Sequence, residues 1–303
     1  MTGRNLAVGL IFLSQTTFGL LGNSSVFYNY ILLYFTRYKL NSTDWILNYL
    51  VLANFLTLLC KGVPQTMAAF GLNTFITDFG CKLLFYLHKI GRGTCICSSS
   101  FMSVFQAITI SCRDSRGAEF KNRTFKHNGL FLCFCCILNI LMSIYNLLYM
   151  TQNLGYRNMT SIQNFGYCPL YLDKTGQMLH AVFLPLPDAV WVGLMVWASI
   201  FTVLNLYRHK QRVQRMPRTK NSPKSSIESK AIKTILLQSS TFVFFYIIAC
   251  LIQLVLVFFH NPSWFLVNTS IVISGCFPTV SPFLLMTHYS IASSKCVPRK
   301  RNL

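Results

Sequence analysis

Acidic side chains are scarce in this chain. Its 303 residues hold 7 Asp and Glu against 27 Lys and Arg, for a formal net charge of +20. Charged residues of both signs make up only 11% of the sequence, where soluble domains carry about 25%. A water-facing globular surface cannot be built from that supply. Catalytic patterns are missing too: there is no HExxH, no GxSxG, no glycine-rich phosphate loop and no paired carboxylates. The chain is therefore not expected to be an enzyme, and nothing in it calls for a cofactor. Cys133, Cys135 and Cys136 have no nearby His and lie in an apolar run, so they are expected to pack rather than to bind a metal. With no linker and no internal repeat, residues 1–303 are expected to form a single domain.

What the chain has instead is hydrophobic length. Apolar residues make up 53% of it, gathered in seven runs at about 6–34, 44–70, 82–111, 129–151, 179–207, 234–259 and 265–286. A bilayer core about 30 Å thick takes about 20 apolar residues per helix, so each run predicts one crossing. The expected fold is all-α, a seven-transmembrane helix bundle. Basic residues fix its sidedness. The stretches 35–43, 112–128, 208–233 and the tail from 287 hold 20 of the 27 Lys and Arg. The positive-inside rule places those stretches in the cytoplasm, which leaves Met1 outside and Leu303 inside. The expected location is the plasma membrane, as a multi-pass protein. Charge confined to short loops does not suit nucleic acid. It suits membrane lipids and an acidic cytoplasmic protein surface. Arg4 ahead of an apolar run resembles a secretory signal, but the run outlasts a signal's 7–15 apolar residues, and an uncleaved first span is expected.

Sidedness sorts the cysteines and glycosylation patterns. Most of the 12 Cys lie within spans, and Cys112 and Cys296 fall on the cytoplasmic side. Cys81 and Cys168 remain on the oxidising side, where disulfides persist, and are expected to pair; two free thiols are the alternative. Asn-x-Ser/Thr occurs at Asn23, Asn41, Asn122, Asn158 and Asn268. Only Asn158 falls in an outer loop and predicts a glycan.

Proline and charge mark the span interiors. Pro64, Pro185, Pro187, Pro278 and Pro282 predict kinks. Lys61, His88, Lys89, Arg92 and Asp188 are ionisable groups inside apolar runs, where each charge costs about 2.5–3.5 kcal/mol on the permissive insertion scale. The helical rise places Lys61, His88, Arg92 and Asp188 roughly 10–16 Å below the outer ends of their spans. His88 and Arg92 are four residues apart and share a helix face. Lys89 points elsewhere and can snorkel. Two readings stand side by side: an internal ion pair such as Arg92 with Asp188, and a ligand pocket that includes such a pair.

The segments themselves carry a resemblance. They include Ser42-Thr43-Asp44, Lys61 through Gly71, Asp78-Phe79-Gly80-Cys81-Lys82, Gly91-Arg92-Gly93, Ser103 through Ser111, and Gly166-Tyr167-Cys168. Trp197-Ala198-Ser199, Tyr207 through Val213, Asn261-Pro262-Ser263-Trp264 and Phe277 through Phe283 continue the series. Asp-Arg-Tyr after the third span and Asn-Pro-x-x-Tyr in the seventh are absent. In this pattern the chain resembles the vomeronasal type-1 receptors, over all seven spans. It departs after Ser111, where that family has Pro-Arg-Asn-Ser-Arg-Trp and this chain reads Cys112-Arg113-Asp114-Ser115-Arg116-Gly117.

The resemblance implies a G-protein-coupled chemosensory receptor for pheromones. A small-molecule chemosignal would bind outside and a heterotrimeric Gi-type G protein inside. Arg113, Arg116, Arg208, Lys210 and Arg212 are the basic residues expected to meet the G protein; the alternative is that they only set topology beside lipid. Lys61, His88, Arg92 and Asp188 are the expected ligand residues. If Arg92 pairs with Asp188, Lys61 is left as a lone cation, and the ligand is expected to be apolar with one negative group, sulfate or carboxylate. Phe85 and Phe183 would cover its apolar body. If Lys61 pairs with Asp188, a neutral ligand is expected instead. A channel or transporter is the rival from another class; it would favour ionisable groups through the full membrane depth.

Overall fold

The computed structural model describes residues 3–35, 42–72, 78–111, 130, 133–144, 162–164, 169–171, 186–214, 223–258 and 263–293. The first span is α1 (Gly3–Phe35). The second is α2 (Ser42–Thr57), a π-helical turn (Leu58–Gly62) and α3 (Val63–Ala69), run end to end. The third is α4 (Asp78–Ser111). The fourth is seen as the short helix α5 (Cys133–Ile144). The fifth, sixth and seventh are α6 (Leu186–Gln214), α7 (Pro223–Phe258) and α8 (Trp264–Ser293). Six of the described helical stretches are long and apolar enough to cross a membrane.

Several expectations need correction. The all-α bundle carries a short strand pair not expected from the sequence: β1 (Ile162–Asn164) and β2 (Pro169–Tyr171) pair antiparallel, Ile162 opposite Tyr171 and Asn164 opposite Pro169. Between the fourth and fifth apolar runs, the described residues satisfy backbone donors and acceptors by pairing one strand with the other. The fifth and sixth helices also outrun their apolar segments. α6 continues to Gln214 and α7 starts at Pro223, so most of 208–233, expected as loop, is helical. Hydropathy marks where a helix leaves the hydrocarbon, not where it ends. Pro187 is the second described residue of α6 (Leu186–Gln214), a position where a missing N–H is harmless. Pro185 lies outside the described residues.

Pro64 and the seventh-span prolines do act on their helices. Pro64 lacks an N–H and follows the π-helical turn that carries Lys61; an inserted residue of this kind re-registers a ladder that proline would break. The span then stops at a Schellman motif. Gly71 takes a φ of 80°, its N–H bonds the Ala68 carbonyl and the Leu72 N–H bonds that of Met67. In α8, Pro282 withholds the N–H that the Pro278 carbonyl would take. Asn23 Nδ2 of the first span supplies it instead, at 3.0 Å. Gly19 and Gly22 let α1 come close enough, since a Cβ at Gly22 would lie 2.9 Å from Pro282.

The third span is the axis of the bundle. It packs on the second, fifth and sixth, and 67% of its apolar window is buried, against 22% for the fifth and sixth. The core runs from Ile46, Leu47 and Leu50 through Ile96 and Met102 to Met195, Phe242, Phe277 and Leu285. α1 closes the far side by packing on α8 and the second span.

Candidate ligand-binding site

The site begins with two glycines. Gly91 and Gly93 flank Arg92 on the third span. A Cβ at Gly91 would lie 2.7 Å from Thr57 Oγ1 and 3.2 Å from the Ala53 carbonyl of the second span. A Cβ at Gly93 would collide with the Asn139 side chain of α5. Small residues let membrane helices approach closely, and these two admit one neighbour on each side. Arg92, between them, turns to the remaining neighbours. Its guanidinium pairs with Asp188 at 3.2 Å and lies 5.8 Å from the centre of the Tyr246 ring. One side chain thus ties the third span to the fifth by an ion pair and to the sixth by a cation–π contact. Asp188 lies in the first turn of α6, where the helix dipole favours a carboxylate. Tyr246 Oη is buried beside Cys250.

Lys61 goes elsewhere. Its ammonium donates to Ser274 Oγ of the seventh span, on the edge of a cavity of about 20 Å³ between the first, second and seventh spans. His88 lies against the Thr57 main chain, with Nδ1 buried and unpartnered. Lys89 stands 5.3 Å from the centre of the Phe85 ring. Lys61, Lys89 and Arg92 remain within electrostatic reach of one another. Among the described residues, three cations therefore share this layer with one carboxylate, that of Asp188. The four sequence-selected residues are gathered at one level, but into two subsites: Arg92 and Asp188 facing the sixth span, Lys61 facing the seventh. Asp188 does not hold Lys61. A larger groove, about 500 Å³, opens between the fifth and sixth spans among Ile200, Val203, Leu204, Leu236 and Leu237. It carries no charge and faces the apolar exterior, where lipid chains lie.

The vomeronasal organ pheromone receptor family is matched over residues 6–294. Human vomeronasal type-1 receptor 4 is 47% identical over 288 residues, covering 95% of each chain. Human vomeronasal type-1 receptor 3 is 43% identical, covering 95% of this chain and 93% of that one. A zebrafish (Danio rerio) olfactory receptor class A-like protein 1 is 28% identical, over 92% of this chain and 88% of its own. The chain belongs to the vomeronasal type-1 receptor family. It is a multi-pass membrane protein of a chemosensory receptor family and not an enzyme.

In this vomeronasal receptor a second polar layer lies toward the Ser111 end. Ser103 and Ser239 share a hydrogen bond of 2.7 Å between the third and sixth spans. Gln238 Nε2 reaches Ser281 Oγ of the seventh at 3.5 Å. Ser98, Ser99 and Ser100 hydroxyls are buried nearby in sequence without partners. Of the other predicted residues, Cys81 is disulfide-bonded, and the eight further described cysteines are free. Cys168, Asn158, Arg113, Arg116 and Phe183 lie outside the described residues. Arg208 is exposed on α6, and Lys210 and Arg212 continue the same helix. Sequence reading missed Tyr246, Asn139, Gln15 and Gln65. Tyr246 stands in an apolar run that gives no periodic cue, while the half-buried amide of Gln15 and the buried amide of Gln65 could have been found by the rule applied to buried charges.

Proposed function

We propose that this receptor binds a small chemosignal in the outer half of its bundle and activates a heterotrimeric Gi-type G protein from its cytoplasmic face. Met1 is outside and Leu303 inside, as the basic loops require. The observation that supports the ligand site is the junction at Arg92. A ligand that competes for its guanidinium alters the third, fifth and sixth spans together, through Asp188 and Tyr246. Among the described residues Arg92 and Lys89 share one carboxylate, Asp188, which favours a ligand with one negative group on an apolar body. His88, Arg92 and Asp188 form the ligand layer and Tyr246 joins them, while Lys61 stands at the same level but turns to the seventh span. Cys81 pairs with Cys168, because Cys112 and Cys296 fall in the basic, cytoplasmic stretches. Asn158 carries the glycan. Arg113, Arg116, Arg208, Lys210 and Arg212 face the G protein.

The test uses cells that report Gi signalling, screened with pairs of sulfated and free-alcohol chemosignals. Wild type should answer the sulfated member, and Arg92→Met should lose that response at equal surface expression. An equal response to both members would sink the anionic ligand. Arg113→Glu with Arg116→Glu should weaken signalling while leaving ligand binding intact; normal signalling from this variant would remove those residues from the contact.

A further inference from the structure

The cavity beside Lys61 is separate from the Arg92 junction and calls for its own occupant. At about 20 Å³ it exceeds the 10–15 Å³ that one water needs and is far smaller than the 300–1,000 Å³ of small-molecule pockets. A chemosignal does not fit there. Its polar lining comes from Gln15 and Thr16 of the first span, Thr57, Lys61 and Gln65 of the second, and Ser274 of the seventh, the Thr57 hydroxyl donating to the Ala53 carbonyl. Lys61 has three N–H donors, and the partner seen for them is Ser274 Oγ. That hydroxyl already gives its own proton to the Ile271 carbonyl. No carboxylate among the described residues pairs with Lys61; the ion pair seen there is Arg92 with Asp188. Gln65 is 5% exposed, and its Oε1 is buried without a partner. A half-turn of that amide puts an NH₂ donor where the orphan oxygen stands, the two ends being alike in shape. A cation held in a membrane interior needs a counter-charge.

We infer that this cavity is a binding site for a monatomic anion, chloride in physiological fluid. The anion is held by Lys61 Nζ, the Gln65 amide and the Thr16 hydroxyl, and it ties the first, second and seventh spans together. It compensates Lys61 without drawing on Asp188, which leaves Asp188 to Arg92. Gly62 and Gly275 keep the cavity walls close: a Cβ at Gly62 would lie 2.6 Å from Thr16 Oγ1, and one at Gly275 would lie 3.1 Å from the Gln15 amide.

The experiment is thermal unfolding of the purified full-length receptor in lipid nanodiscs, without chemosignal, in sodium chloride, bromide or gluconate at equal ionic strength. Chloride and bromide should raise the midpoint by roughly 2–4 °C over gluconate. Lys61→Met should show no halide effect. Gln65→Glu supplies a fixed carboxylate beside Lys61. It should match or exceed the wild-type midpoint in gluconate and respond no further to halide. Equal wild-type midpoints in all three salts would mean that water alone fills the cavity, and the inference would be overturned. So would a halide effect that persists in Lys61→Met or in Gln65→Glu. Should Lys61→Met fail to fold, the Gln65→Glu comparison still decides. No chemosignal is present, so the outcome is independent of the ligand site at Arg92.

Discussion

Arg92 shows how far single residues could be read from the sequence. Its charge inside an apolar run marks it, and an ion pair with Asp188 is one of the readings open at that point, beside a pair between Lys61 and Asp188. The structure has Arg92 paired with Asp188 at 3.2 Å. Tyr246 was not legible, because its contact with the guanidinium depends on how the sixth helix is rotated, and the sixth run is apolar on every side. A charge exchange tests the pair. Arg92→Asp and Asp188→Arg should each reduce folded receptor, since each sets like charges together in a low dielectric. The double exchange should recover part of the loss, and a double-mutant cycle on unfolding midpoints gives the coupling. With both side chains partly exposed, a coupling of about 1 kcal/mol or somewhat more is expected; zero coupling would make the contact incidental. Asn23 offers a second test. Asn23→Val removes the donor to the Pro278 carbonyl and should cost about 1–3 kcal/mol, the usual penalty for orphaning a buried acceptor. In Asn23→Val with Pro282→Ala the restored N–H should return most of it. A double variant no more stable than Asn23→Val would show that the amide does not serve the proline.

At the scale of elements, the apolar runs located the spans, but local chemistry set their details. The π-helical turn at Leu58–Gly62 could not be read from hydropathy, since it is a change of hydrogen-bond register and not of composition. Gly91 and Gly93 were quoted as part of a family segment; their role as contact points became visible only with Thr57 and Asn139 in place. The sixth span is held at the level of residues 238 and 239 by Ser239 to the third span and Gln238 to the seventh. One and two turns further along, Phe242 stacks on Tyr246 and meets Phe277 edge-on at 4.6 Å. A continuous face of the sixth helix thus joins the Arg92 junction to the Ser103 layer. Hydrogen bonds between membrane helices contribute about 0.6 kcal/mol on average, small enough for signalling to break. Ser239→Ala should raise ligand-independent signalling by roughly threefold if the bond favours the resting arrangement. The measurement is basal G-protein activation per receptor at the surface. Unchanged basal activity with unchanged stability would leave the Ser103 contact without a part in switching.

For the whole molecule, sidedness governs every assignment of a surface group. Of the 27 basic residues, 20 fall on one side of the spans, each attracted to an anionic leaflet by about 1 kcal/mol. The bonded state of Cys81 agrees, because a disulfide at that end of the third helix suits the oxidising side. What the sequence left illegible at this scale is the reach of α6 and α7 beyond the hydrocarbon, since polar helical turns have no hydropathy signal. Epitope tags at Met1 and beside Asn221 decide the orientation. The Met1 tag should stain on intact cells, and the Asn221 tag only after permeabilisation. Two covalent marks must then follow the same side. Asn158→Gln should migrate faster than wild type by the mass of one glycan. Cys81→Ser and Cys168→Ser should each reduce surface receptor, and the double variant should do no worse than either alone, as expected when both remove one bond. If the two cysteine variants instead add, the cysteines act separately and the pairing fails. If the Asn221 tag stains on intact cells, the sidedness itself is reversed, and with it the glycan, the disulfide partner and the placing of Arg208, Lys210 and Arg212 against a G protein.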